Sequence, residues 1–514
     1  MTVGAPCRCK GATAKCRLPV SILRRTKLAH STNTAGNPAY KGNDRLIVGI
    51  VLAVVTFWLF AQTTFNVLPS MRTELRINNS VGDMAVSITA LFSAAFIVVA
   101  GGLADRFGRM RMTYAGLALS AAGSLLIAAT PCGTAIFLMA GRIIQGVSAA
   151  CIMPATLSLM KAYYDGEARQ RALSFWSIGS WGGSGLCALL GGVVDSTMGW
   201  RAIFWMSIVV AVASWTLIRG TPESKVVECS TAPIDWTGLG AFLVATVAFN
   251  MVVAQGAELG WLSPVILALS AAFALAVAIF ILSERYCSHP LVDFRLFGNT
   301  VYLAATLSNF FLNGVAGALL IVLLLVQDAF GLSSLQSGSM TAGYLVAILI
   351  MIRVGEKLQQ RWGGPRRPMI LGCATTGGGL LLTTFTYLPV AQYVTVAFVG
   401  FTLFGVGLGI YATPSTDAAL SSVADSRSGT ASGIYKMASS LGTAFGVAIS
   451  AAIFTALTEV NGVSPTQSLA GLGFNQLRFA AAAALWFNVT MALLAMAAII
   501  FGMPRRSGSR ERPS

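Results

Sequence analysis

Fourteen long apolar runs recur along this chain, and nothing else in it narrows the possible fold so far. They lie near 46–68, 83–104, 111–130, 134–160, 169–194, 198–218, 235–255, 263–283, 300–326, 336–354, 368–388, 392–414, 428–457 and 479–503. A helix needs about 20 such residues to cross the hydrocarbon core of a bilayer. Most of the intervening segments carry Pro, Gly or charge, as in Gly363-Gly364-Pro365-Arg366-Arg367-Pro368. Composition excludes the soluble alternative. Only 11% of the residues are charged, whereas a soluble domain needs about 25% to build its solvated shell. Glycine, at 53 residues, suits membrane helices that approach one another closely. The sequence therefore predicts an all-α integral membrane protein in the lipid bilayer.

The basic residues test this count independently. With the N-terminus on the cytoplasmic side, Arg72, Arg76, Arg201 and Arg478 fall outside, Arg142 and Lys436 fall within helices, and the other 29 of 35 Lys and Arg fall on the cytoplasmic side. That asymmetry follows the positive-inside rule. It predicts a multi-pass protein of the cell inner (plasma) membrane with both termini cytoplasmic. The net charge of +16 is then accounted for by topology and a basic tail, and no nucleic acid partner is expected. Residues 1–45 read as a disordered cytoplasmic tail: no apolar core follows Arg24-Arg25-Thr26-Lys27 before the first span, which argues against a cleaved signal peptide. The cysteines, including Cys7, Cys9 and Cys16, match no familiar metal spacing. Neither metal nor cofactor is expected.

Between the second and third runs stands Gly101-Gly102-Leu103-Ala104-Asp105-Arg106-Phe107-Gly108-Arg109-Met110-Arg111. Gly101 and Gly102 would let a neighbouring helix come near, and Gly108 would permit a tight turn. Asp105 suits the positive N-terminal end of another helix. Arg106 and Arg109 could bridge to carboxylates or to helix C-termini. The stretch resembles the signature loop of the major facilitator superfamily. A weaker copy, Gly355-Glu356-Lys357-Leu358-Gln359-Gln360-Arg361, follows the tenth run. Further stretches resemble the fourteen-helix drug-exporter branch (drug:proton antiporter 2-like): Gly199-Trp200-Arg201, His289-Pro290-Leu291-Val292-Asp293-Phe294-Arg295, Gln327 with Gly331-Leu332-Ser333-Ser334-Leu335-Gln336, and Gly405-Val406-Gly407-Leu408-Gly409 through Pro414 to Ser432-Gly433. The resemblance implies two six-helix bundles, 46–219 and 299–503, with an inserted helix pair within 220–298 and a cytoplasmic tail at 504–514. The substrate site would lie between the bundles near the midplane.

Polar groups at membrane depth are costly and are the natural site candidates. Arg142 and Gln145 in the fourth run resemble the family's proton-relay motif; Arg142 either lines the cavity or snorkels outward. Lys436, in the thirteenth run, either meets an anionic partner or snorkels. Gln62 and Asn66 share one helix face, as do Asn309 and Asn313, so each pair points inward or bonds between helices.

Two departures from the branch pattern bear on chemistry. Ala61 occupies the place of the usual first-span aspartate. The fifth run keeps the helix-packing glycines that the resemblance implies, Gly183, Gly191 and Gly192, but has Cys187-Ala188 where the antiporter motif has Gly-Pro. No Asp or Glu falls deep within a run, Asp417 lying past the end of the twelfth, and a buried carboxylate is the usual carrier of a coupling proton. A cavity with Arg142, Lys436 and no acid should prefer neutral or anionic solutes.

No Gly-x-x-x-x-Gly-Lys-Ser/Thr stretch provides for ATP, and the only histidines, His30 and His289, lie outside the runs. The sequence thus points to a monomeric secondary transporter, not an enzyme. It would export a small organic molecule by alternating access, driven by an ion gradient. Uptake or uniport of an organic anion on the same fold is the alternative.

Overall fold

The computed structural model describes residues 41–77, 79–225, 235–260, 262–286, 294–332, 339–458 and 476–504. Most of the expected N-terminal tail, the three N-terminal cysteines, His289 and nearly all of the C-terminal tail lie outside them. No strand occurs among the described residues. Ten helices there are long and apolar enough to cross a membrane, or eleven if the bent pair 166–187 and 190–198 counts as one span.

The first apolar run is not one regular helix. Helix α1 (Asp44–Val55) passes through a π-helical turn at Thr56–Ala61 into α2 (Gln62–Leu75). The wider turn shifts the register of α2 by about one residue, or some 100°. Helices α3 (Asn79–Phe107), α4 (Arg109–Ala128) and α5 (Ile136–Tyr163) come next. The fifth run is likewise split, into α6 (Gly166–Ser177) and α7 (Gly183–Met198) about a π-helical turn at Ile178–Gly182. Helix α8 (Trp200–Ile218) packs back on α1 and α4 and completes a first half.

Helices α9 (Trp236–Leu259) and α10 (Pro264–Tyr286) pair with each other, and α9 also touches α3. The second half contains α11 (Thr300–Gly314), α12 (Gly317–Asp328), α13 (Ala342–Arg361), α14 (Arg366–Thr383), α15 (Val390–Ser421), α16 (Ser428–Thr458) and α17 (Gln476–Gly502). Helices α14 and α13 pack on α15, and α11 packs on α16 and α17. Helix α9 also rests against α16 and so touches both halves.

Close helix approach explains much of the glycine content. A Cβ on Gly446 would run into the Gly314 carbonyl, and one on Gly405 into that of Tyr344. Membrane helices gain no hydrophobic drive from each other, so backbone proximity of this kind supplies much of their packing. The halves meet through the same device: Gly101 of α3 and Gly429 of α16 each lie against the other's backbone, and Gly429 also against the Asp105 carboxylate.

Two helices run further than the apolar pattern shows. Helix α15 continues past 414 to Ser421, and α13 past 354 to Arg361. Asp417 and Glu356 are thereby held inside helices and buried. Both acids still lie within the last turns of their helices, past the ends of the apolar runs. An apolar run reports the thickness of the hydrocarbon, whereas the helix continues into the polar layer wherever partners exist for its charges.

Candidate functional site

The two halves are joined at the end of the molecule that carries most of the lysine and arginine among the described residues, the basic end. Asp105 sits in the last turn of α3 and is 3% exposed. Its carboxylate accepts the backbone N–H of Gly429 (3.0 and 2.8 Å to its two oxygens) and of Thr430 (3.1 Å), at the start of α16. These are the N–H groups that a first helical turn leaves unpaired, and the helix dipole adds attraction for the negative charge. Arg109 pairs with the same carboxylate at 2.9 Å and also donates to the Asp425 carbonyl at 2.6 Å. One buried ion pair thus holds the opposite half by its main chain.

Gly108 lets the chain turn between α3 and α4 at φ +119°. A Cβ there would strike the carboxylate of Glu223. Glu223 accepts the N–H groups of Met110 (2.9 Å) and Arg111 (3.1 Å), while the Arg109 N–H donates to the Ser224 carbonyl at 2.9 Å. The segment after α8 therefore caps α4 and steadies Arg109. Sequence reasoning missed Glu223, because nothing in its neighbourhood signals a cap for a helix more than a hundred residues earlier. Losing an N-terminal cap costs about 0.5–2 kcal/mol. Glu223→Gln is expected to slow transport by about 30-fold at most, as measured by solute flux in proteoliposomes; a loss as deep as that from removing Asp105 would assign Glu223 a different role.

Three further contacts close the basic end. Lys161 of α5 meets Asp425 at 3.1 Å and the Val423 carbonyl. Arg169 of α6 donates to Asp417 of α15 at 2.9 Å, with Gln170 and Gln359 on the other carboxylate oxygen. Ser158 and Ser432 share a hydrogen bond at 3.3 Å. Asp105 holds α16 from the first half, and Asp417 holds α6 from the second, so the closure is made from both sides. Arg106 takes no part in it. Its guanidinium lies over Phe107 at 5.6 Å and its Nε has no partner, so the expectation that it bridges to a carboxylate is corrected. Gly102 makes only ordinary contact, with Thr430.

Arg142, 1% exposed, is the hub of the first half. Its guanidinium donates to the carbonyls of Ala85 and Ala61 and to Gln145 Oε1, each at 2.8 Å. Gln145 continues to Ser124 of α4, and Ser124 to Ser207 of α8, at 3.2 Å each. No carboxylate among the described residues pairs with Arg142. Ala61, standing where the resemblance would put an aspartate, meets it instead through its main-chain oxygen. Arg142 does not snorkel outward: it ties helices together.

Asn309 and Asn313 are likewise spent between helices. Asn309 donates to the Tyr435 carbonyl (2.9 Å) and Ser439 Oγ (2.7 Å), and Asn313 to Asn309 Oδ1 at 2.9 Å. Gln62 is half-buried, and Asn66 is exposed, its amide 3.7 Å from Cys187 Sγ. Asn66 thus takes the second placement expected of it, a bond between helices, from α2 to α7. Thr63, Thr64 and Val67 of the same helix are buried. Gly183 packs on Trp58, and Gly191 on Thr63 and Asn66, but Gly192 has open space around it. One residue on is a rotation of about 100°, which carries Gly192 off the packed face. Lys436 is 7% exposed, its ammonium over the ring of Trp176 at 4.3 Å.

Two helical halves clasped at one end by a carboxylate on a helix N-terminus define a membrane carrier whose halves can part and close. The chain belongs to the Major Facilitator Superfamily, whose family model matches residues 50–319 and again 303–514. It is similar to the quinolone resistance protein NorB of Staphylococcus aureus strain MRSA252, at 45% identity over 471 residues, 92% of this chain and 98% of that one. The NorB of strain COL is 45% identical over 472 residues, with the same coverage. Among solved structures, the human organic anion transporter MFSD10 (TETRAN) superposes with a TM-score of 0.61 at 14% identity, covering 89% of this chain and 98% of that one. The proton:xylose symporter XylE superposes with a TM-score of 0.60 at 15% identity, covering 90% and 96%. The chain is a multi-pass membrane protein, a secondary transporter of the drug-exporting kind, and not an enzyme.

Proposed function

We propose that the chain exports a neutral or anionic small organic molecule from the cytoplasm by alternating access between its two halves, with the basic end facing the cytoplasm. The observation that carries this reading is the clasp of Asp105 on the start of α16. It shuts one side with a contact that can be broken and remade without disturbing either half. Fourteen spans fit the helices: besides the ten apolar spans and the bent pair, α9, α13 and α14 have 24, 20 and 18 residues. Residues 46–219 and 299–503 would be the moving bundles, with α9 and α10 an added pair beside them. Gly101, Asp105, Gly108 and Arg109 act as the gate. Arg142, Gln145, Asn309 and Asn313 hold the bundles rigid enough to move as bodies.

A buried interior with two cations, Arg142 and Lys436, and no acid beside either disfavours a cationic solute by charge alone. The relatives named for quinolone resistance make a quinolone the first substrate to test. Energised cells expressing the chain should accumulate less of a fluorescent quinolone than control cells, and should lose that difference when the ion gradients are collapsed. Equal accumulation with and without the chain, across quinolones and simple organic anions, would overturn the reading. Strong efflux of ethidium-type cations would overturn the charge preference.

A further inference from the structure

Arg142 and Lys436 are the two cations deep within the apolar runs, away from their ends, and Lys436 is the one that the packing of the described residues leaves without a hydrogen-bond acceptor. It lies eight residues along α16 from Ser428, a depth of about 12 Å at 1.5 Å per residue. Its ammonium meets two ring faces and no oxygen: Trp176 at 4.3 Å and Tyr435 at 5.9 Å. Four acids at the basic end are otherwise engaged, Asp105 with Arg109, Asp417 with Arg169, Asp425 with Lys161 and Glu356 with Arg353. Burying an ammonium removes the water from three N–H donors, and a ring face replaces the charge interaction without accepting those donors properly. The arrangement suits an anionic oxygen that arrives and leaves.

Its placement couples that exchange to the gate. Gly429, Ser432, Gly433 and Lys436 stand three or four residues apart on one face of α16. The first three touch Gly101 and Asp105, Ser158, and the Ile97 carbonyl, all in the first half. Trp176 also belongs to that half; it is fully buried, with its Nε1 donating to Thr156 at 3.0 Å, which fixes the ring. Parting of α16 from α3 and α5 would therefore draw the ammonium off the indole and bare both.

We propose that Lys436 and Trp176 form the docking site for the charged end of the substrate: an aromatic monoanion, a carboxylate or sulfonate, whose oxygens pair with the ammonium while its ring stacks on the indole. The indole takes the ammonium back when the anion leaves. The ligand is a monoanion because Arg142, the other buried cation, is held by Ala85, Ala61 and Gln145. The lysine's point charge sets no planar geometry, so carboxylate and sulfonate share the site. The ring of the ligand matches the face that the ammonium vacates.

This rests on the export reading, and the experiment separates the two. Inside-out vesicles are given three forms of one aromatic scaffold: the acid, the sulfonate and the uncharged primary amide. Wild type is expected to carry both anions at least about 10-fold better than the amide, the scale on which a charge-paired contact weighs. Lys436→Gln should lose that preference, its flux of acid and sulfonate falling to the level of its own amide flux, and Lys436→Arg should keep it. Trp176→Leu should weaken acid, sulfonate and amide alike, because stacking ignores charge. An unchanged anion-to-amide ratio in Lys436→Gln overturns the assignment. Should that variant fail to fold, loss of the ratio in Lys436→Arg, or an acid that fails to compete with the sulfonate in wild type, overturns it too. Wild-type vesicles that carry none of the three overturn the export reading instead.

Discussion

Asp105→Asn should nearly abolish transport while leaving the protein inserted and folded. The carboxylate accepts three N–H contacts from Gly429 and Thr430 and pairs with Arg109. An amide of the same size keeps the shape but loses the charge that the helix dipole and Arg109 attract. Hydrogen bonds to charged groups contribute about 1.5–3 kcal/mol each, and an unpaired buried Arg109 adds about 3–5 kcal/mol of penalty. The Arg109 pair lies within the first half and is weakened in every state, but the loss of the Gly429 and Thr430 contacts falls on the closed state alone, because only there does Asp105 meet α16. A carrier that cannot populate one of its states cannot cycle, so flux should fall by about 100-fold or more. Two measurements check this: flux in proteoliposomes, and labelling of a cysteine at residue 432, which should become accessible from the basic end. Wild-type flux in the variant would remove the gating role of the clasp.

Arg142→Met should act differently, by unfolding the first half. Methionine fills much of the volume but leaves the Ala85 and Ala61 carbonyls and the Gln145 amide without their donor. Each buried group so orphaned costs about 1–3 kcal/mol, and the sum is comparable with the total stability of an ordinary domain, about 5–15 kcal/mol. Thermal unfolding in detergent should drop by many degrees, and Arg142→Lys should rescue little, because one ammonium cannot reach three acceptors on separate helices. A variant with the wild-type midpoint but no flux would return Arg142 to a direct role with the solute.

Much of this architecture is written in the sequence because the bilayer imposes it. Apolar length, basic asymmetry and the Gly101–Arg111 stretch each report a physical requirement that acts locally. What the sequence hid is non-local or lies in the main chain. The π turns at Thr56–Ala61 and Ile178–Gly182 carry no composition of their own, yet each interrupts the regular helix that its apolar run predicts. Arg169 and Asp417 are 248 positions apart, and no spacing rule relates them. Glu223 is ordinary until Gly108 is seen to face it. The Gly183–Gly191–Gly192 group shows the converse limit: pattern placed all three on a packing face, and one step of helical rotation removed the last.

The Ala61 carbonyl that meets Arg142 has an electrochemical meaning. A carboxylate in that spot would gain and shed hydrogen ions as the solute came and went. A peptide oxygen does neither over any acidity a cell experiences. The joint between the first span and α5 is consequently fixed in charge, and any hydrogen-ion traffic that powers this carrier has to pass through other groups.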